Sequence, residues 1–194
     1  MNETDATIFV HPHALIDEGA KVGSRTRVWA FAHILKGASV GEDCNICDHT
    51  FVEGKVRLGN RVTLKCGVFL WDGVVAEDDV FIGPAAVFVN DLRPRSRHIP
   101  KEYITTLLRE GCSIGANATV LAGLTIGRFA MVSAGAVVTH NVADFALVVG
   151  NPARFRRWLC RCGENLVFRK NSAACNCGRQ YALMHKNKVE ETNP

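Results

Sequence analysis

Large apolar residues recur at every sixth position through the first half of the chain. The series contains a single small member, Ala76, and consists of Val10, Ile16, Val22, Val28, Ile34, Val40, Ile46, Val52, Leu58, Leu64, Leu70, Ala76, Ile82 and Phe88. A residue that is small or β-branched stands four positions after each of the first thirteen, from Ala14 to Ala86. An α-helix would spread a six-residue period around its whole circumference. The period therefore predicts a solenoid of short strands whose stacked coils share one apolar interior.

Residues 18 positions apart should stack on one another, because three hexads close one triangular coil of such a solenoid. The vertical spacing between levels is then about 4.8 Å. This numbering places His49 between Phe31 and Gly67, with Lys65 on the same face.

The next face of the prism carries a second set of polar and aromatic residues. Glu53 and Trp71 fall in the column of Val89, and Asp72 falls directly below Asn90. His49 and Asn90 thus project from different walls, and we expect them to meet across an interface between subunits.

The six-residue register breaks after Phe88 and resumes later along the chain. The second series consists of Leu108, Ile114, Val120, Ile126, Val132 and Val138. Residues 89–111 between the two series contain prolines and a cluster of basic side chains, and they predict a loop expelled from the coil. Long loops on an ordered domain commonly carry function, and the alternative is a tolerated insertion.

The repeat ends near Val149 in the sequence Gly-Asn-Pro-Ala-Arg, which finishes at Arg154. The predicted β-helix domain covers residues 7–154. Residues 155–194 mix aromatic and basic side chains, and they predict a helix or hairpin that caps the open end of the coil stack.

Composition narrows the class of protein. The chain has 194 residues, of which 47% are hydrophobic, and this suits one main domain. A net charge of +4 suits phosphate-bearing small ligands; it does not exclude nucleic acid, which is nevertheless not an expected partner. No apolar run reaches the length of a membrane span, and residues 1–10 carry acidic side chains where an export signal would be basic and then apolar. We expect a cytoplasmic protein with no membrane insertion, whose eight cysteines are reduced or bind metal.

The hexad array, the expelled loop and the Gly-Asn-Pro-Ala-Arg terminus together resemble the hexapeptide-repeat acyltransferases, over residues 7–157. Closer motifs resemble the N-acetyltransferases of nucleotide-linked 3-amino sugars. They are VWAFAH (28–33), CNICDH (44–49), LKCG (64–67), WDG (71–73) and FIGP (81–84) followed by NDLRPRS (90–96). Within that group, the chain is most similar to enzymes that acetylate UDP-2-acetamido-3-amino-2,3-dideoxyglucuronate, and a dTDP-3-amino sugar stays open as the alternative.

The resemblance implies an all-β left-handed parallel β-helix that acts as a homotrimer, with three sites in clefts between neighbouring subunits. It implies transfer of acetyl from acetyl-CoA to the 3-amino group of the nucleotide sugar, in bacterial surface-polysaccharide (lipopolysaccharide) biosynthesis.

The resemblance places Asn90 and Asp91 at the site of acetyl transfer, where they would orient the sugar amine. Histidine titrates near neutral pH, so His49 can accept the amine proton. Two alternatives remain: the departing CoA thiolate takes the proton, or His49 is only structural. Of the other histidines, His33 is expected to be structural and His98 is a candidate from the loop, whereas His140 has no assigned role.

Basic and small residues supply the predicted binding contacts. Guanidinium groups match the oxygens of a diphosphate or a sugar carboxylate, so the basic loop residues are candidates, with a solvated loop as the alternative. Substrate-binding candidates are Glu53, Lys65, Trp71, Asp72, Arg93 and Arg95, together with Lys101. For CoA the resemblance points to the last coils, where small residues expose backbone amides to the pantetheine arm and arginines meet the phosphates. These candidates are Ser133, Ala134, Gly135, Arg154 and Arg156.

Two matching Cys-x-Cys-Gly units stand in the predicted cap, at residues 160–163 and 175–178. Four thiolates can bind zinc tetrahedrally, but the usual ribbon spacing is Cys-x-x-Cys. Loss of one residue from both units predicts strain, so a cap without metal is the favoured interpretation and structural zinc at Cys160, Cys162, Cys175 and Cys177 is the alternative.

Two other functions share the predicted architecture. A β-helix hydratase needs about three histidines converging on one zinc ion, whereas His33 and His49 occupy different columns. A non-catalytic scaffold needs neither loop chemistry nor a coenzyme cleft. The Asn90-Asp91 loop and the Gly-Asn-Pro-Ala-Arg terminus favour the acetyltransferase.

Overall fold

A computed structural model describes residues 7–98, 100–184 and 188–192. Residues 1–6, on which part of the expectation about an export signal rests, lie outside the described residues. The described chain is built from short strands. In chain order they are β1 (Phe9–Val10), β2 (Leu15–Ile16), β3 (Lys21–Val22), β4 (Arg27–Val28), β5 (His33–Ile34), β6 (Ser39–Val40), β7 (Asn45–Ile46), β8 (Phe51–Val52), β9 (Arg57–Leu58), β10 (Thr63–Leu64), β11 (Phe69–Leu70), β12 (Val74–Ala76), β13 (Phe81–Ile82), β14 (Val87–Phe88), β15 (Thr106–Leu108), β16 (Ser113–Ile114), β17 (Thr119–Val120), β18 (Thr125–Ile126), β19 (Met131–Val132), β20 (Val137–Val138), β21 (Ala146–Val149), β22 (Arg154–Trp158), β23 (Ser172–Ala174), β24 (Gln180–Met184) and β25 (Lys188–Glu191).

The strands stack into three parallel sheets that form the walls of a prism. Face A runs through β1, β4, β7, β10, β13, β16, β19 and β21; face B through β2, β5, β8, β11, β14, β17 and β20; and face C through β3, β6, β9, β12, β15 and β18. Except across the expelled loop and at the last level, each strand pairs with the strand 18 residues later, as Thr63 does with Phe81. The predicted all-β parallel β-helix of hexapeptide repeats is confirmed.

The interior of the prism is one continuous apolar column. Ile46, Leu64 and Ile82 of face A are fully buried, as are the corresponding residues of the other faces. Their neighbours Asn45, Thr63 and Phe81 point outward. Two-residue strands suffice here because only one residue in each needs to face the core, and the next residues already turn the corner.

The corners between faces are closed by turns with positive φ. Residues other than glycine adopt this conformation at many corners, including Phe31 (φ 59°), His49 (φ 56°) and Arg61 (φ 56°). A left-handed residue is uncommon for side chains other than Gly, Asn and Asp, and its repeated use reflects the sharp direction change that each corner needs.

The expelled loop leaves face B after β14 and returns to face C at β15. Phe81 pairs with Ser113, 32 positions later, so the loop adds 14 residues to one coil. The predicted loop of residues 89–111 is too long at its end, because Thr106–Leu108 already pair with β12. The excursion is residues 89–105, and Leu107 and Leu108 belong to the wall.

The last level of the helix is shorter than the others. Met131 pairs with Leu147, only 16 positions later. Strand β22 then turns back and pairs antiparallel with β21, which covers the exposed edge of face A. In place of the expected helix or hairpin, the residues after β22 form a three-stranded antiparallel sheet of β23, β24 and β25 with a small apolar cluster of its own, and we call this region the cap.

Candidate functional site

A ladder of aromatic rings runs along the edge between faces A and B. The rings of His13 and Phe31 stack with centroids 5.5 Å apart, and those of Phe31 and His49 stack at 4.8 Å. His49 lies above Phe31 and below Gly67 in register, as its column number predicts. The imidazole is exposed, and the stack fixes its plane while leaving its nitrogens accessible. His49 is therefore positioned to exchange a proton with a molecule bound against this edge.

Lys65 extends the polar surface of face A above the ring ladder. Its backbone donates to the carbonyl of Ile82 at 2.9 Å, which fixes its place between Cys47 and Gly83. The ammonium group is partly exposed and makes no ion pair among the described residues. Burial raises the pKa of the neighbouring Cys47 thiol, which disfavours a thiolate nucleophile at this position.

The edge between faces B and C holds the predicted substrate-binding acids. Glu53 accepts a hydrogen bond from the backbone N–H of Asp72 at 2.6 Å, and Asp72 accepts one from the N–H of Lys55 at 2.7 Å. Trp71 packs beside the ring of Phe51, with centroids 5.5 Å apart. Both carboxylates therefore satisfy backbone amides of neighbouring corners, and contact with substrate stays a prediction for them.

Asn90 begins the expelled loop and lies one level above Asp72 in the same column. The loop then turns on itself, because Asp91 Oδ1 accepts the N–H of Arg93 at 2.8 Å. Arg93 and Arg95 are exposed, and the backbone carbonyl of Arg95 accepts the N–H of His98 at 3.1 Å. The guanidinium groups of the loop are therefore accessible to an anion.

The returning half of the loop is fixed against the helix. Thr106 is buried; its N–H donates to Gly73 at 2.9 Å and its hydroxyl oxygen accepts the N–H of Gly123 at 3.0 Å. Gly73 has φ 100°, and a Cβ there would stand 2.9 Å from the carbonyl oxygen of Ile104. Only glycine allows this close approach. A pocket of about 260 Å³, lined in part by Asp72 and Tyr103, separates the loop from the edge.

One chain does not bring His49 and Asn90 together. His49 lies on the edge between faces A and B, whereas Asn90 lies on the edge between faces B and C, with a strand of face B between them. They also differ by two levels, or about 10 Å along the axis. A site that uses both residues needs a second copy of the chain.

A cavity of about 720 Å³ lies at the end of the helix where the last level shortens. It is lined by Arg154 together with His140, Phe155 and Trp158. Arg156 lines a different hollow of about 440 Å³ on the outer side of β22. The structure thus separates the two arginines that we expected to act together on coenzyme phosphates.

The turn Ser133-Ala134-Gly135 lies on the edge between faces A and B and follows β19, one level below β21. The N–H groups of Ser133 and Gly135 are already engaged, with Val148 at 3.0 Å and Ala116 at 2.8 Å. Ala134 donates no backbone hydrogen bond among the described residues. Of the three backbone N–H groups that we expected to be accessible in this turn, only that of Ala134 therefore stays a candidate.

His140, to which the sequence assigned no role, lines the cavity beside Arg154 together with aromatic side chains that the sequence did not single out. Phe155 and Trp158 pack together with ring centroids 4.6 Å apart. No periodic signal marks these residues, because the repeat has ended and the cavity depends on how β22 folds back. His33, which we expected to be structural, has its Nε2 3.0 Å from Asp17 Oδ1, and this hydrogen bond lowers the pKa of that carboxyl.

Comparison with known proteins gives matches at three levels. The hexapeptide repeat of succinyl-transferase matches residues 110–140. The dTDP-3-amino-3,6-dideoxy-alpha-D-galactopyranose 3-N-acetyltransferase of Aneurinibacillus thermoaerophilus is 50% identical over 181 residues, which cover 93% of this chain and 94% of the relative.

Solved structures share the fold at lower sequence identity. AntD, an N-acyltransferase from Bacillus cereus solved with dTDP and coenzyme A, superposes with a TM-score of 0.60 at 19% identity, over 77% of this chain and 85% of its own. A hexapeptide-repeat acetyltransferase from Vibrio cholerae, solved with acetyl coenzyme A, gives 0.51 at 23% identity, over 76% of this chain and 72% of its own. At these identities the likeness concerns the fold alone.

Proposed function

Because this chain belongs to the nucleotide-3-amino-sugar N-acetyltransferases of the hexapeptide-repeat acyltransferases, we propose that it acetylates the 3-amino group of a dTDP-linked 3-amino-3,6-dideoxyhexose. Acetyl-CoA is the acetyl donor. The observation that carries the proposal is the 50% identity to the Aneurinibacillus enzyme over nearly the full length of both chains. That span includes the expelled loop and both edges of face B.

The sugar nucleotide follows from the same relative. Its name specifies a dTDP-linked 6-deoxy sugar, which favours the dTDP alternative over the UDP-glucuronate substrate expected from motifs. A 6-deoxy sugar carries a methyl group where a glucuronate carries a carboxylate. Arg93 and Arg95 then have no sugar carboxylate to bind, and we assign them to the diphosphate, whose oxygens suit guanidinium forks.

Acetyl transfer needs no covalent nucleophile from the protein. The neutral 3-amine attacks the thioester carbonyl carbon, the carbonyl oxygen becomes an oxyanion, and the C–S bond breaks to release CoA thiolate. The nitrogen loses one proton and the thiolate gains one, so that CoA leaves as the thiol. We assign Asn90 and Asp91 to orienting the amine and the exposed His49 to accepting its proton, since positioning and proton transfer are the effects that this chemistry rewards.

The proposed active unit is a homotrimer. Large apolar side chains stay exposed on the outward sides of faces A and B, where Phe69, Phe81 and Val87 are 47%, 39% and 49% exposed. Face C presents polar side chains at several outward positions, such as Ser39 and Arg57, and its outward Val75 and Leu107 are only partly exposed. Burying the edge between faces A and B against a neighbour would cover these side chains and carry His49 towards the partner's loop.

Coenzyme A is proposed to lie along the C-terminal levels. The N–H of Ala134, which has no backbone acceptor in the described part of the chain, can donate to an amide carbonyl oxygen of the pantetheine arm, beside Ser133 and Gly135. Arg154 stands at the mouth of the large cavity and can meet a phosphate, whereas Arg156 faces the other side of β22 and would need a separate contact.

The direct test is a panel assay with purified protein, acetyl-CoA and three acceptors: dTDP-3-amino-3,6-dideoxygalactose, UDP-2-acetamido-3-amino-2,3-dideoxyglucuronate and the dTDP sugar without its amine. Products are measured by mass spectrometry, since the exposed Cys66, Cys162 and Cys177 would react with thiol reagents. We expect acetylation of the dTDP-amino sugar only. Turnover of the UDP sugar alone would favour the UDP-glucuronate substrate expected from the motifs. Absence of both turnover and coenzyme binding would indicate a non-catalytic scaffold.

The cellular setting is part of the proposal. An acetyl-CoA-dependent step of surface-polysaccharide synthesis fits the cytoplasm, where this donor is made. Among the described residues, no helix has the length and apolar character needed to cross a bilayer.

A further inference from the structure

Four cysteine sulfurs converge in the cap, away from the site described above. The sulfur atoms of Cys160, Cys162, Cys175 and Cys177 all lie within 4.8 Å of one another. Cys160 and Cys177 are 3.5 Å apart, and Cys162 and Cys175 are 3.6 Å apart. A tetrahedral zinc ion with Zn–S bonds of about 2.3 Å would hold its sulfurs about 3.8 Å apart. The observed spacing matches that geometry.

Two equivalent turns present these cysteines. In the first, the N–H of Gly163 donates to the carbonyl of Cys160 at 2.8 Å, and in the second Gly178 donates to Cys175 at 2.9 Å. The two glycines have nearly the same φ, 94° and 93°. Such a conformation suits glycine, and it closes the turn with one residue fewer than the usual ribbon. The expected strain of Cys-x-Cys spacing is therefore taken up by the glycines.

Groups around the sulfurs suit a negatively charged centre. Arg179 Nη1 lies 3.4 Å from Cys177 Sγ, and the hydroxyl of Tyr181 lies 3.1 Å from Cys160 Sγ. The Tyr181 oxygen accepts the N–H of Arg161 at 3.0 Å, which leaves its hydroxyl proton for the sulfur. Donors of this kind orient and stabilise coordinating thiolates.

The cap has little apolar interior of its own. Its buried cluster is small and consists of Phe145, Cys160, Leu166, Ala173, Cys175, Tyr181 and Val189. Of these, Phe145 belongs to the last level of the helix. Units of this size usually need a metal, disulfides or a partner to hold their fold.

We propose that Cys160, Cys162, Cys175 and Cys177 bind one zinc ion as four thiolates and that this ion holds the cap together. All four positions are filled by protein, so the ion is structural and has no open position for substrate. The site also stabilises the start of the cap: Arg161 stacks on Phe129 at 4.5 Å, so the first knuckle is fixed to the helix. The proposal replaces the metal-free cap favoured from spacing alone, and it does not depend on the acetyl-transfer reaction.

The test is elemental analysis of full-length protein purified without chelator. We expect about one zinc ion per chain in the wild type and less than a tenth in Cys162→Ser, whose side chain is exposed. Cys66→Ser, an exposed cysteine on the helix, is the matched control and should keep its zinc.

Two measurements on the wild type keep the test independent of any folding defect in a variant. Replacement of zinc by cobalt should give the thiolate charge-transfer bands of a tetrahedral sulfur site. Chelation should make the cap sensitive to protease while the β-helix keeps its circular dichroism. Less than a tenth of an equivalent in the wild type would overturn the proposal, as would an intact mass showing two disulfides among these four cysteines.

Discussion

His49 shows how a single residue can be fixed by the repeat and still be free for chemistry. Its backbone fills the left-handed corner position that Phe31 fills one level below, and its ring completes the stack. Phenylalanine is therefore already tolerated in this conformation and this stack. That fact allows the proton-accepting role of His49 to be separated from its packing.

We predict that His49→Phe folds normally, because the ring ladder is kept, and lowers kcat by about 100-fold, because a phenyl ring accepts no proton. His13→Phe, two levels lower in the same ladder, is the control and should keep wild-type kcat. An unchanged kcat in His49→Phe would mean that the CoA thiolate takes the proton.

Asn90 begins the expelled loop and does not belong to the buried core of the described chain. Its role in the reaction can therefore also be tested separately from its role in folding. We predict that Asn90→Ala lowers kcat roughly 100-fold by loss of amine orientation. The KM for acetyl-CoA should change little. Steady-state kinetics with the dTDP-amino sugar checks this, with the exposed cap residue Asn171→Ala as control; equal kinetics in both variants would remove Asn90 from the site.

Residue columns could be read from the sequence because the 18-residue period is strict along most of the helix. The neighbours of His49, Lys65 and Asn90 were predicted in this way. The hydrogen bonds of Glu53 and Asp72 could not be predicted in this way. The column of a residue fixes the position of its Cα atom but not the backbone amide that its carboxylate contacts. Their coil-bridging contacts became visible only with side-chain positions.

At the scale of elements, acidic side chains tie adjacent corners together. Asp78 accepts the N–H of Asn60 at 2.8 Å, and Arg25 pairs with Asp43 at 2.7 Å. The hydrogen bond from the Asn60 amide, followed by contacts with the Asn60 side chain and Arg61, holds the pKa of Asp78 below its ordinary 3.8. The Arg25 guanidinium lowers the pKa of Asp43 in the same way.

These depressed pKa values predict a loss of stability in acid. A carboxyl whose pKa is lower in the folded state stabilises the fold fully above 3.8, and this contribution disappears as the pH falls through the folded value. We expect Asp78→Asn, which keeps the amide acceptor but loses the charge, to show a slightly smaller drop in Tm between about pH 5 and pH 3. Glu18→Gln, an exposed acid without an ion pair in the described chain, should follow the wild type; identical slopes in all three proteins would contradict the argument.

The sequence did not predict the positions of the elements that lie where the six-residue period breaks. The return of the loop at Thr106 lies before the point where the hexad pattern becomes obvious, because β15 begins with a threonine that is buried only through its bonds to Gly73 and Gly123. The large cavity depends on a last level that is two residues short. Neither feature is marked by a repeat in the sequence.

At the scale of the whole molecule, the placement of the chemistry argues for assembly. The ring ladder, the loop and the cavity beside Arg154 occupy different edges and levels of one prism. The exposed apolar side chains of faces A and B indicate where copies would meet. In the proposed trimer, neighbouring copies of the chain would complete the site.

We predict that Phe81→Glu shifts the protein from trimer to monomer and lowers turnover by 10-fold or more, since a buried unpaired charge at an interface costs several kcal/mol. Light scattering coupled to size-exclusion chromatography measures the shift. Ser39→Glu places the same charge on face C and should stay trimeric. A Phe81→Glu protein that remains trimeric and fully active would move the interface to another face.

The regular 18-residue level has a consequence for how such a chain can change length. Inserting or deleting one full level before β14 would move the expelled loop by one level along the axis and leave it on the same edge. Inserting six residues would instead swing the loop round to the neighbouring edge, away from the groove it serves, and a length change that is not a multiple of six would turn the apolar series outward. Length variation in this protein should therefore be stepwise within the prism and least restricted in the expelled loop.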